Sequence, residues 1–527
     1  MTFTPNWIPP FHLSYIGLRS CLLGPNFPKW LQTQNEFTYL DISNASIMDM
    51  VPRWFWDKLA LGNLSLVDIS NNNLHGIIPN LSSKGVVSSL NIASNQFEGH
   101  IPQFLRGSMF LDLSNNNFSN SFPFLCAGGP DETLLYHLDL SYNQLFGHIS
   151  DCWSHFKLLS YLDLSDNNFS GKIPPSIGSL LDLQVLLLRN NNLTHEIPFS
   201  LRRCTKLVML DMSENKLSGH IPAWIGSKML VLKILSLGRN NFNGTLPLQI
   251  CYLKYLQILD LSLNNLSGKI PSCIHNFTSM TNKTFSSYYR SPMYYAITSR
   301  GYIESYELKA FLMWKGLEKK FKTTELLLLN SIDLSSNKFS EEIPTEIENI
   351  VDLISLNLSR NNLIGKIPSY IGKLKSLEFL DLSRNQLVGS IPSSLAQIYG
   401  LGVLDLSHNH LIGEIPTGTQ LQSFSTSTYE DNLDLCGPPL EKLCIEGGST
   451  QEPNVKVHKD KDEYSLFNND FFISMAIGFI ISFWMVFGSL LLKRSWQRAY
   501  FNFLNNLEDN VHVKIAIFAR VLKLEKD

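Results

Sequence analysis

Aspartate recurs at one position of a repeated phrase in this chain, and paired carboxylates are common agents of general acid–base catalysis. Asp163, Asp211 and Asp260 share this position, with roughly one further repeat between each and the next. Such a regular interval predicts a row of solvated carboxylates along one face rather than a catalytic pair. The sequence also contains no G-x-S-x-G, H-E-x-x-H or P-loop motif. We therefore expect no enzyme activity, no cofactor and no metal site.

Residues suited to binding cluster between about 280 and 329. Six of the chain's 18 tyrosines fall in this segment, together with Trp314 and a basic run at Lys319, Lys320 and Lys322. Tyr, Trp and Arg dominate the energetics of protein interfaces, so the segment is a candidate contact surface. The same aromatic side chains can also pack a small insert against its own protein. The composition is compatible with both roles.

A repeat determines which elements position these residues. The phrase Leu-Asp-Leu-Ser-x-Asn, or a near copy, recurs with a period of about 24 residues, which is the signature of leucine-rich repeats. Two degenerate copies place Cys21 and Ala45 at the Asn position, and thirteen fuller copies follow. Each copy predicts one short strand in a stack of coils. The asparagines, which we expect to form a structural ladder, are Asn72, Asn95, Asn116, Asn143, Asn167, Asn191, Asn215, Asn240, Asn264, Asn337, Asn361, Asn385 and Asn409.

One clean copy shows the physical basis of a coil. Leu162 and Leu164 are two positions apart on a strand, so both point into the coil, whereas Asp163 points outward. Asn167 ends the strand, and its amide group can bond backbone groups left unpaired where the chain bends. Gly171 permits a positive φ in the following turn. Because no coil buries its apolar side chains alone, the coils must stack along one dimension.

Many coils also contain the phrase L-x-G-x-I-P. It occurs at 74–79, 217–222, 266–271, 363–368, 387–392 and 411–416. The phrase resembles the plant-specific class of leucine-rich repeats, found in plant receptor kinases, receptor-like proteins and polygalacturonase inhibitors. The resemblance implies a second short strand in each coil and a superhelical twist. The expected fold class is an α/β-type leucine-rich-repeat solenoid, a superhelical horseshoe of mostly short parallel strands, plus one transmembrane helix.

The aromatic segment interrupts the repeat between Asn264 and Asn337. About 50 residues there belong to no coil, which is too long for an ordinary connection and indicates a functional excursion. The segment resembles the island domain of plant receptor-like proteins and brassinosteroid-type receptor kinases, because Trp314-Lys315-Gly316 matches a W-K-G element and four coils follow it. In those relatives the island and the last coils contact ligand and a co-receptor kinase. The resemblance assigns ligand or co-receptor contact to Tyr288, Tyr289, Arg290, Tyr294, Tyr295, Tyr302, Trp314 and Lys315.

The eight cysteines form no C-x-x-C pair, which argues against a zinc ribbon or a thioredoxin-type site. Two pairs lie at similar offsets in successive coils, and a third lies in a segment that resembles the C-terminal cap of receptor-like ectodomains. Disulfides at these places would imply an oxidising compartment. Cys21 and Cys204 have no evident partner, and we expect buried thiols there. The predicted disulfides are Cys126–Cys152, Cys251–Cys273 and Cys436–Cys444.

Acceptor motifs for N-linked glycans agree with an extracellular array. The repeat itself contains Asn-Leu-Ser or Asn-Phe-Ser, so part of the number of acceptor motifs follows from the fold rather than from an extracellular location. The candidate glycosylation sites are Asn44, Asn63, Asn80, Asn117, Asn168, Asn192, Asn243, Asn265, Asn276, Asn282 and Asn357.

A membrane span is predicted at 471–492, where 22 residues carry no charge. At about 1.5 Å per residue this stretch is long enough to cross a bilayer core. Basic residues follow it immediately, so the positive-inside rule places the C-terminus in the cytosol. Gly478 and Ser482 form a small-xxx-small pair that is a candidate transmembrane contact. The tail from 493 to 527 lacks the motifs of a protein kinase.

The expected organisation follows from these features. The chain opens inside the array, without a signal peptide or a cysteine-paired N-terminal cap, so relative to the family we expect an N-terminal truncation. The predicted domains are repeats at 1–279 (about 11 coils), the island at 280–329, four further repeats at 330–418, a cap at 419–446, an extracellular juxtamembrane segment at 447–470, the span at 471–492 and a kinase-free cytosolic tail at 493–527.

The sequence thus resembles a kinase-less, island-type plant receptor-like protein. The resemblance implies a single-pass type I protein of the plasma membrane that binds an extracellular peptide, protein or glycan ligand. It would signal through an adaptor receptor kinase and a co-receptor kinase, in plant defence or development. The net charge of −3 argues against nucleic acid as a partner. The alternatives are an inhibitor-type binding module and a non-signalling truncated decoy.

Overall fold

The computed structural model describes residues 7–61, 64–82, 87–119, 125–126, 133–281, 295–297, 303–305, 309–314, 317–322 and 329–444. The chain divides into two compact units. The first comprises 1–306 and 329–444 and contains the coils, and the second comprises 307–328 and 445–527.

A parallel sheet of fifteen strands forms the backbone of the first unit, with one strand for each of the fifteen copies of the repeat. Each strand is three residues long and pairs only with the strands of the neighbouring coils. In order along the sheet they are β1 (Tyr15–Gly17), β2 (Tyr39–Asp41), β3 (Leu66–Asp68), β5 (Ser89–Asn91), β7 (Phe110–Asp112), β9 (His137–Asp139), β11 (Tyr161–Asp163), β13 (Val185–Leu187), β15 (Met209–Asp211), β17 (Ile234–Ser236), β19 (Ile258–Asp260), β25 (Ser331–Asp333), β27 (Ser355–Asn357), β28 (Phe379–Asp381) and β30 (Val403–Asp405).

The strands form because apolar and polar residues alternate, as the repeat predicts. Leu162 of β11 is fully buried, and it pairs in register with Leu138 of β9 and Leu186 of β13. An inward apolar residue recurs at the same place along the sheet, so successive coils bury each other's side chains in one continuous core. The predicted solenoid of short parallel strands is therefore confirmed.

A second short strand follows in many coils, as the L-x-G-x-I-P phrase implies. Gly171 lies in one of them with φ of 76°, and a Cβ atom there would meet the His148 ring at 2.1 Å. The second strands form three parallel sheets: β4 (His75–Ile77), β6 (Gln96–Gly99) and β8 (Asn117–Phe118); β10 (Phe146–His148), β12 (Asn168–Gly171), β14 (Asn192–His195), β16 (Lys216–His220), β18 (Asn241–Thr245), β20 (Asn265–Gly268) and β26 (Lys338–Phe339); and β29 (Val388–Gly389), β31 (His410–Glu414) and β32 (Asp434–Cys436).

Short helices complete most coils on the side opposite the main sheet, where they pack against the helices of neighbouring coils. A proline commonly precedes the helix in an extended conformation, as Pro174 does with φ of −69° and ψ of 139°. The α-helices are α1 (Arg53–Ala60), α2 (Ala223–Lys228), α3 (Thr278–Thr281) and α4 (Thr419–Gln422). The 3₁₀ helices are Lys29–Thr33, Gln103–Gly107, Trp153–His155, Pro175–Ser179, Phe199–Arg203, Leu248–Tyr252, Ser272–Asn276, Thr345–Asn349, Ile371–Lys373, Ser393–Gln397 and Thr426–Tyr429.

Buried asparagines tie each coil to the one before it. Asn167 donates from Nδ2 to the carbonyl oxygens of Leu140 at 2.9 Å and Ser165 at 3.0 Å, and its Oδ1 accepts the backbone N–H of Leu145 at 3.0 Å. All thirteen asparagines indexed from the repeat make this set of contacts, from Asn72 to Asn409. They lie along a single spine and satisfy backbone groups that the turns leave unpaired.

The array continues across the insert. Strand β19 pairs directly with β25, with Leu259 opposite Ile332. Two antiparallel hairpins lie in the intervening sequence, one formed by β21 (Tyr295–Ile297) and β22 (Ile303–Ser305), and the other, in the second unit, by β23 (Lys309–Trp314) and β24 (Leu317–Lys322). The insert is therefore an excursion between two coils that are neighbours in the sheet.

Disulfides are present at the three predicted places. The Cα atoms of Cys126 and Cys152, and of Cys251 and Cys273, are 5.7 Å apart, and those of Cys436 and Cys444 are 5.1 Å apart. Of the two free cysteines, Cys204 is buried as expected, whereas Cys21 is only half-buried.

One more ladder residue, Asn432, closes the C-terminal end of the array. Its Nδ2 donates to the carbonyl oxygen of Leu406 at 3.0 Å, and its Oδ1 accepts the backbone N–H of Leu411 at 3.0 Å.

Within the ranges that the structure describes, no helix is both long and apolar enough to cross a bilayer. The span predicted at 471–492, with Gly478 and Ser482, lies outside those ranges.

Candidate ligand-binding strand face

The outward side of the fifteen-stranded sheet is the candidate site, and we call it the strand face. It consists of four columns of side chains, one residue of each column per coil. In the β11 coil the four positions are Tyr161, Asp163, Ser165 and Asp166. Parallel strands lie about 4.8 Å apart, so each column places one side chain at about that interval along the array.

The carboxylate column is held by the serines of the next column. Oδ1 of Asp163 accepts the backbone N–H of Ser165 at 2.9 Å and its hydroxyl at 2.5 Å. The same double contact joins Asp41 to Ser43, Asp112 to Ser114, Asp139 to Ser141, Asp211 to Ser213, Asp260 to Ser262 and Asp381 to Ser383. These aspartates therefore stabilise the strand ends.

The expectation that the carboxylates are solvated is wrong for several coils. Asp211 is only 3% exposed and Asp163 only 7% exposed, because neighbouring side chains crowd the column. Burial raises the pKa of Asp211 to about 6. Burial, with repulsion from the neighbouring Asp260, raises the pKa of Asp333 to about 7. Part of this face therefore changes charge near neutral pH.

Arg189 places a charged side chain on the strand face of a coil that lacks the Asp–Ser pair. Its side chain is only 7% exposed, and it stands where most coils have the serine of the Asp–Ser pair. Its Nη2 lies 3.2 Å from Oε1 of Glu214, and Nη1 of Arg239 lies 3.4 Å from the same oxygen. A single glutamate thus joins two arginines two coils apart, which fixes both guanidinium groups.

Stacked rings occupy another column of the strand face. The ring centroids of Phe110 and His137 are 4.2 Å apart, and those of His137 and Tyr161 are also 4.2 Å apart, with nearly parallel planes. Tyr15 and Tyr39 stack at 3.9 Å in the first two coils. Neighbouring coils therefore align aromatic residues face to face along the column.

The Arg189–Glu214–Arg239 cluster and the stacked rings were absent from the sequence-based site prediction. The coil of Arg189 reads Val-Leu-Leu-Leu-Arg where most coils read x-Leu-Asp-Leu-Ser, so both outward positions depart from the repeat. That departure is a detectable signal. Stacking between Phe110, His137 and Tyr161 becomes visible only when successive copies are aligned by register.

The predicted contact residues of the island fall largely outside the described part of the chain. Tyr295 lies in β21 and Trp314 ends β23. Tyr288, Tyr289, Arg290, Tyr294, Tyr302 and Lys315 lie outside the described residues.

The glycosylation candidates divide into three groups. Asn357 is half-buried on the strand face, where its amide donates to Asp333 Oδ2 at 3.2 Å and accepts the Ser359 hydroxyl at 2.8 Å. Asn63 and Asn282 lie outside the described residues. The exposed candidates are Asn44, Asn80, Asn117, Asn168, Asn192, Asn243, Asn265 and Asn276.

Comparison with known proteins agrees with this geometry. The Leucine Rich Repeat family profile matches residues 134–156, 158–180, 182–204, 206–227, 255–277, 328–350, 352–374, 376–398 and 400–421. Receptor-like protein EIX2 of Solanum lycopersicum is 48% identical over 524 residues, which cover 98% of this chain and 50% of EIX2. Receptor-like protein EIX1 of the same plant is 47% identical, over 95% of this chain and 48% of EIX1.

The chain carries leucine-rich repeats and is homologous to plant receptor-like proteins. It spans about half the length of the curated relatives it matches.

Several solved structures with similar coils are ectodomains of plant receptor kinases. The ectodomain of GASSHO1/SCHENGEN3 from Arabidopsis thaliana, in complex with CASPARIAN STRIP INTEGRITY FACTOR 2, superposes with a TM-score of 0.61 at 28% identity, over 80% of this chain and 47% of that one. The Arabidopsis receptor kinase HAESA, in complex with the peptide hormone IDA and the co-receptor SERK1, gives a TM-score of 0.56 at 29% identity, over 82% of this chain and 71% of that one.

Proposed function

We propose that this chain is the binding and membrane-anchoring part of a cell-surface receptor that captures an extracellular peptide, protein or glycan. The observation that supports the proposal is the unbroken strand face, where the first and last of the four outward positions change from coil to coil while the inward residues and most of the Asp–Ser pairs repeat. Variation confined to one face is typical of a binding surface, because the fold itself does not require it. The homologous receptor-like proteins and the ligand-bound ectodomains of similar fold support the same function.

Signalling is proposed to pass through partner kinases. No kinase motif occurs within residues 493–527. In this proposal the span and tail hold an adaptor receptor kinase, and bound ligand recruits a co-receptor kinase to the island and the last coils. The protein is then a single-pass component of the plasma membrane with its coils outside.

Co-precipitation from plant cells tests the proposal. The tagged chain is expected to recover an adaptor kinase without treatment, and a co-receptor kinase after treatment with a microbial culture filtrate. A variant that ends before residue 471 is the control, because it retains the coils and lacks the predicted span. Repeated failure to recover either kinase would contradict the receptor function, and would favour an inhibitor-type module or a decoy.

A further inference from the structure

Two arginines of the strand face differ from the others in having no acidic partner. Arg19 lies 3.5 Å from Asp41 and 3.5 Å from Asp68, and Arg189 and Arg239 share Glu214 as described above. Arg360 and Arg384 are exposed, and among the described residues neither side chain makes an ion pair or a hydrogen bond.

The two unpaired arginines are neighbours in one column. The backbone N–H of Arg360 donates to Ser383 O and that of Arg384 to Ser407 O, each at 2.9 Å, so their coils are consecutive. Both residues have φ of 54°, so both side chains leave the backbone in the same way. Two unit charges about one coil apart repel each other by roughly 1 kcal/mol in water. The array thus places two like charges together without compensation.

The row of cations has defined ends. In the next coil His408 Nδ1 lies 2.6 Å from Asp431 Oδ2, so that position has its own carboxylate. In the preceding coil the equivalent residue is the uncharged Ser336. This consecutive run of arginines in the column is therefore two residues long.

Nearby carboxylates on the same strands are engaged elsewhere. Oδ1 of Asp381 accepts the hydroxyl of Ser383 at 2.7 Å, and Oδ1 of Asp405 accepts the backbone N–H of Ser407 at 3.0 Å. In the Arg360 coil the carboxylate is missing altogether, because Asn357 occupies the position that is aspartate in most coils. Among the described residues neither guanidinium group is therefore paired with a carboxylate.

We propose that Arg360 and Arg384 bind carboxylate groups of an acidic peptide segment of the extracellular partner. Guanidinium groups form paired, charge-assisted hydrogen bonds with carboxylates, and an anion between the two removes their mutual repulsion. An extended peptide lying across the coils repeats its side chains on one face at about 6.7 Å, which lets alternate acidic residues reach both arginines. This inference rests on the proposed function, since it specifies the chemistry of that function's ligand.

The test uses the full chain in detergent and two labelled peptides, one of alternating Glu and Ser and one of alternating Gln and Ser. The Glu peptide is expected to bind more tightly, with an affinity that falls as salt is raised. The double variant Arg360→Gln/Arg384→Gln is expected to lose about tenfold in affinity for the Glu peptide. Arg202→Gln/Arg203→Gln is the matched control, because it removes the same charge from the exposed helical side, and it should change affinity less than twofold.

Three results would overturn the inference. The first is equal binding of the Glu and Gln peptides, and the second is an equal loss in both double variants. The third is displacement of the Glu peptide by a short polygalacturonate that itself binds more tightly, which would assign the pair to an acidic polysaccharide. Kinase co-precipitation is measured separately. If the kinases are recovered and the Glu peptide fails, only this inference falls; if the kinases are absent, the proposed function falls instead.

Discussion

Nδ2 of Asn337 donates a hydrogen bond to the carbonyl oxygen of Leu261 at 2.9 Å, although 76 positions separate the two residues. The backbone N–H of Leu266 returns a bond to Oδ1 of Asn337 at 3.0 Å. In adjacent coils without an insert the same pair of contacts spans about one coil, so the insert leaves the spine intact. The strand face therefore runs without a gap from the early coils to the last four.

Asn361→Ala is expected to destabilise the array strongly. The side chain donates to Leu334 O at 3.0 Å and accepts the backbone N–H of Phe339 at 3.1 Å, so its removal leaves buried backbone groups unpaired. We expect the free energy of unfolding to fall by about 2–4 kcal/mol, measured by urea denaturation. The adjacent Asn362→Ala is the control, because Asn362 is exposed, and it should cost no more than about 0.5 kcal/mol. Equal losses of unfolding free energy in the two variants would contradict the stabilising role of the asparagine ladder.

Asn357 is expected to carry no glycan in the folded protein, although it lies in an acceptor motif. Its Nδ2 donates to Asp333 and its Oδ1 accepts from Ser359 on the strand face, so a glycan on this nitrogen would have to displace the contact with Asp333. Glycopeptide mass spectrometry of protein from plant cells measures occupancy at each site. Asn192 is the matched comparison, because it is exposed and begins β14, and we expect it to be occupied. High occupancy at Asn357 would be inconsistent with the strand-face geometry.

Asp333→Asn is expected to make stability less dependent on pH. Because burial raises the pKa of Asp333 to about 7 from an ordinary value of 3.8, the folded state binds a proton more tightly than the unfolded state. Its stabilising contribution is complete below about pH 4 and is lost as pH rises through 7. The asparagine variant should therefore gain stability relative to the parent between pH 5 and pH 8, by on the order of 1–3 kcal/mol.

Thermal unfolding at several pH values measures this effect. Asn fits the position, because Asn357 occupies the equivalent place and accepts from Ser359. Asp57→Asn on α1, whose side chain is 52% exposed, is the control. If the parent and the Asp333→Asn variant keep a constant difference across this pH range, the raised pKa is wrong.

Much of the fold can be predicted from the sequence because the repeat encodes it locally. Leu162, Asp163 and Asn167 each have a role set by position within one coil, so the strands, the ladder and the outward columns follow from spacing alone. The Asn432 contact is harder to anticipate, because its coil lacks the Leu-Asp-Leu-Ser phrase.

The site is less predictable because it depends on neighbours in adjacent coils. A solvated Arg189 is a reasonable expectation for one coil read by itself, but Glu214 lies in the next coil and converts it into a buried ion pair. The burial of Asp211 likewise depends on the size of side chains above and below it. Predicting the contacts within a column requires the sequences of successive coils to be aligned, whereas predicting the fold requires only the length of the repeat.

Gly478→Ile tests the predicted transmembrane contact. A larger side chain prevents the close helix approach that small-xxx-small pairs allow, so recovery of the adaptor kinase by co-precipitation should fall roughly fivefold. Gly488→Ile is the matched control, because it makes the same change in the same predicted span away from Gly478 and Ser482. Equal recovery of the adaptor kinase from both variants would show that Gly478 is not part of the contact.

A glycan placed on the strand face tests the central claim most directly. Arg360→Asn with Asn362→Thr creates an acceptor motif at an exposed strand-face position whose φ of 54° suits asparagine, and Arg203→Asn creates one on the opposite, helical side. Recovery of the co-receptor kinase from filtrate-treated plant cells is measured for both, after mass spectrometry verifies each glycan. We expect the strand-face glycan to abolish recovery and the helical-side glycan to preserve it. Full recovery with the strand-face glycan would contradict the proposal that this face binds the partner.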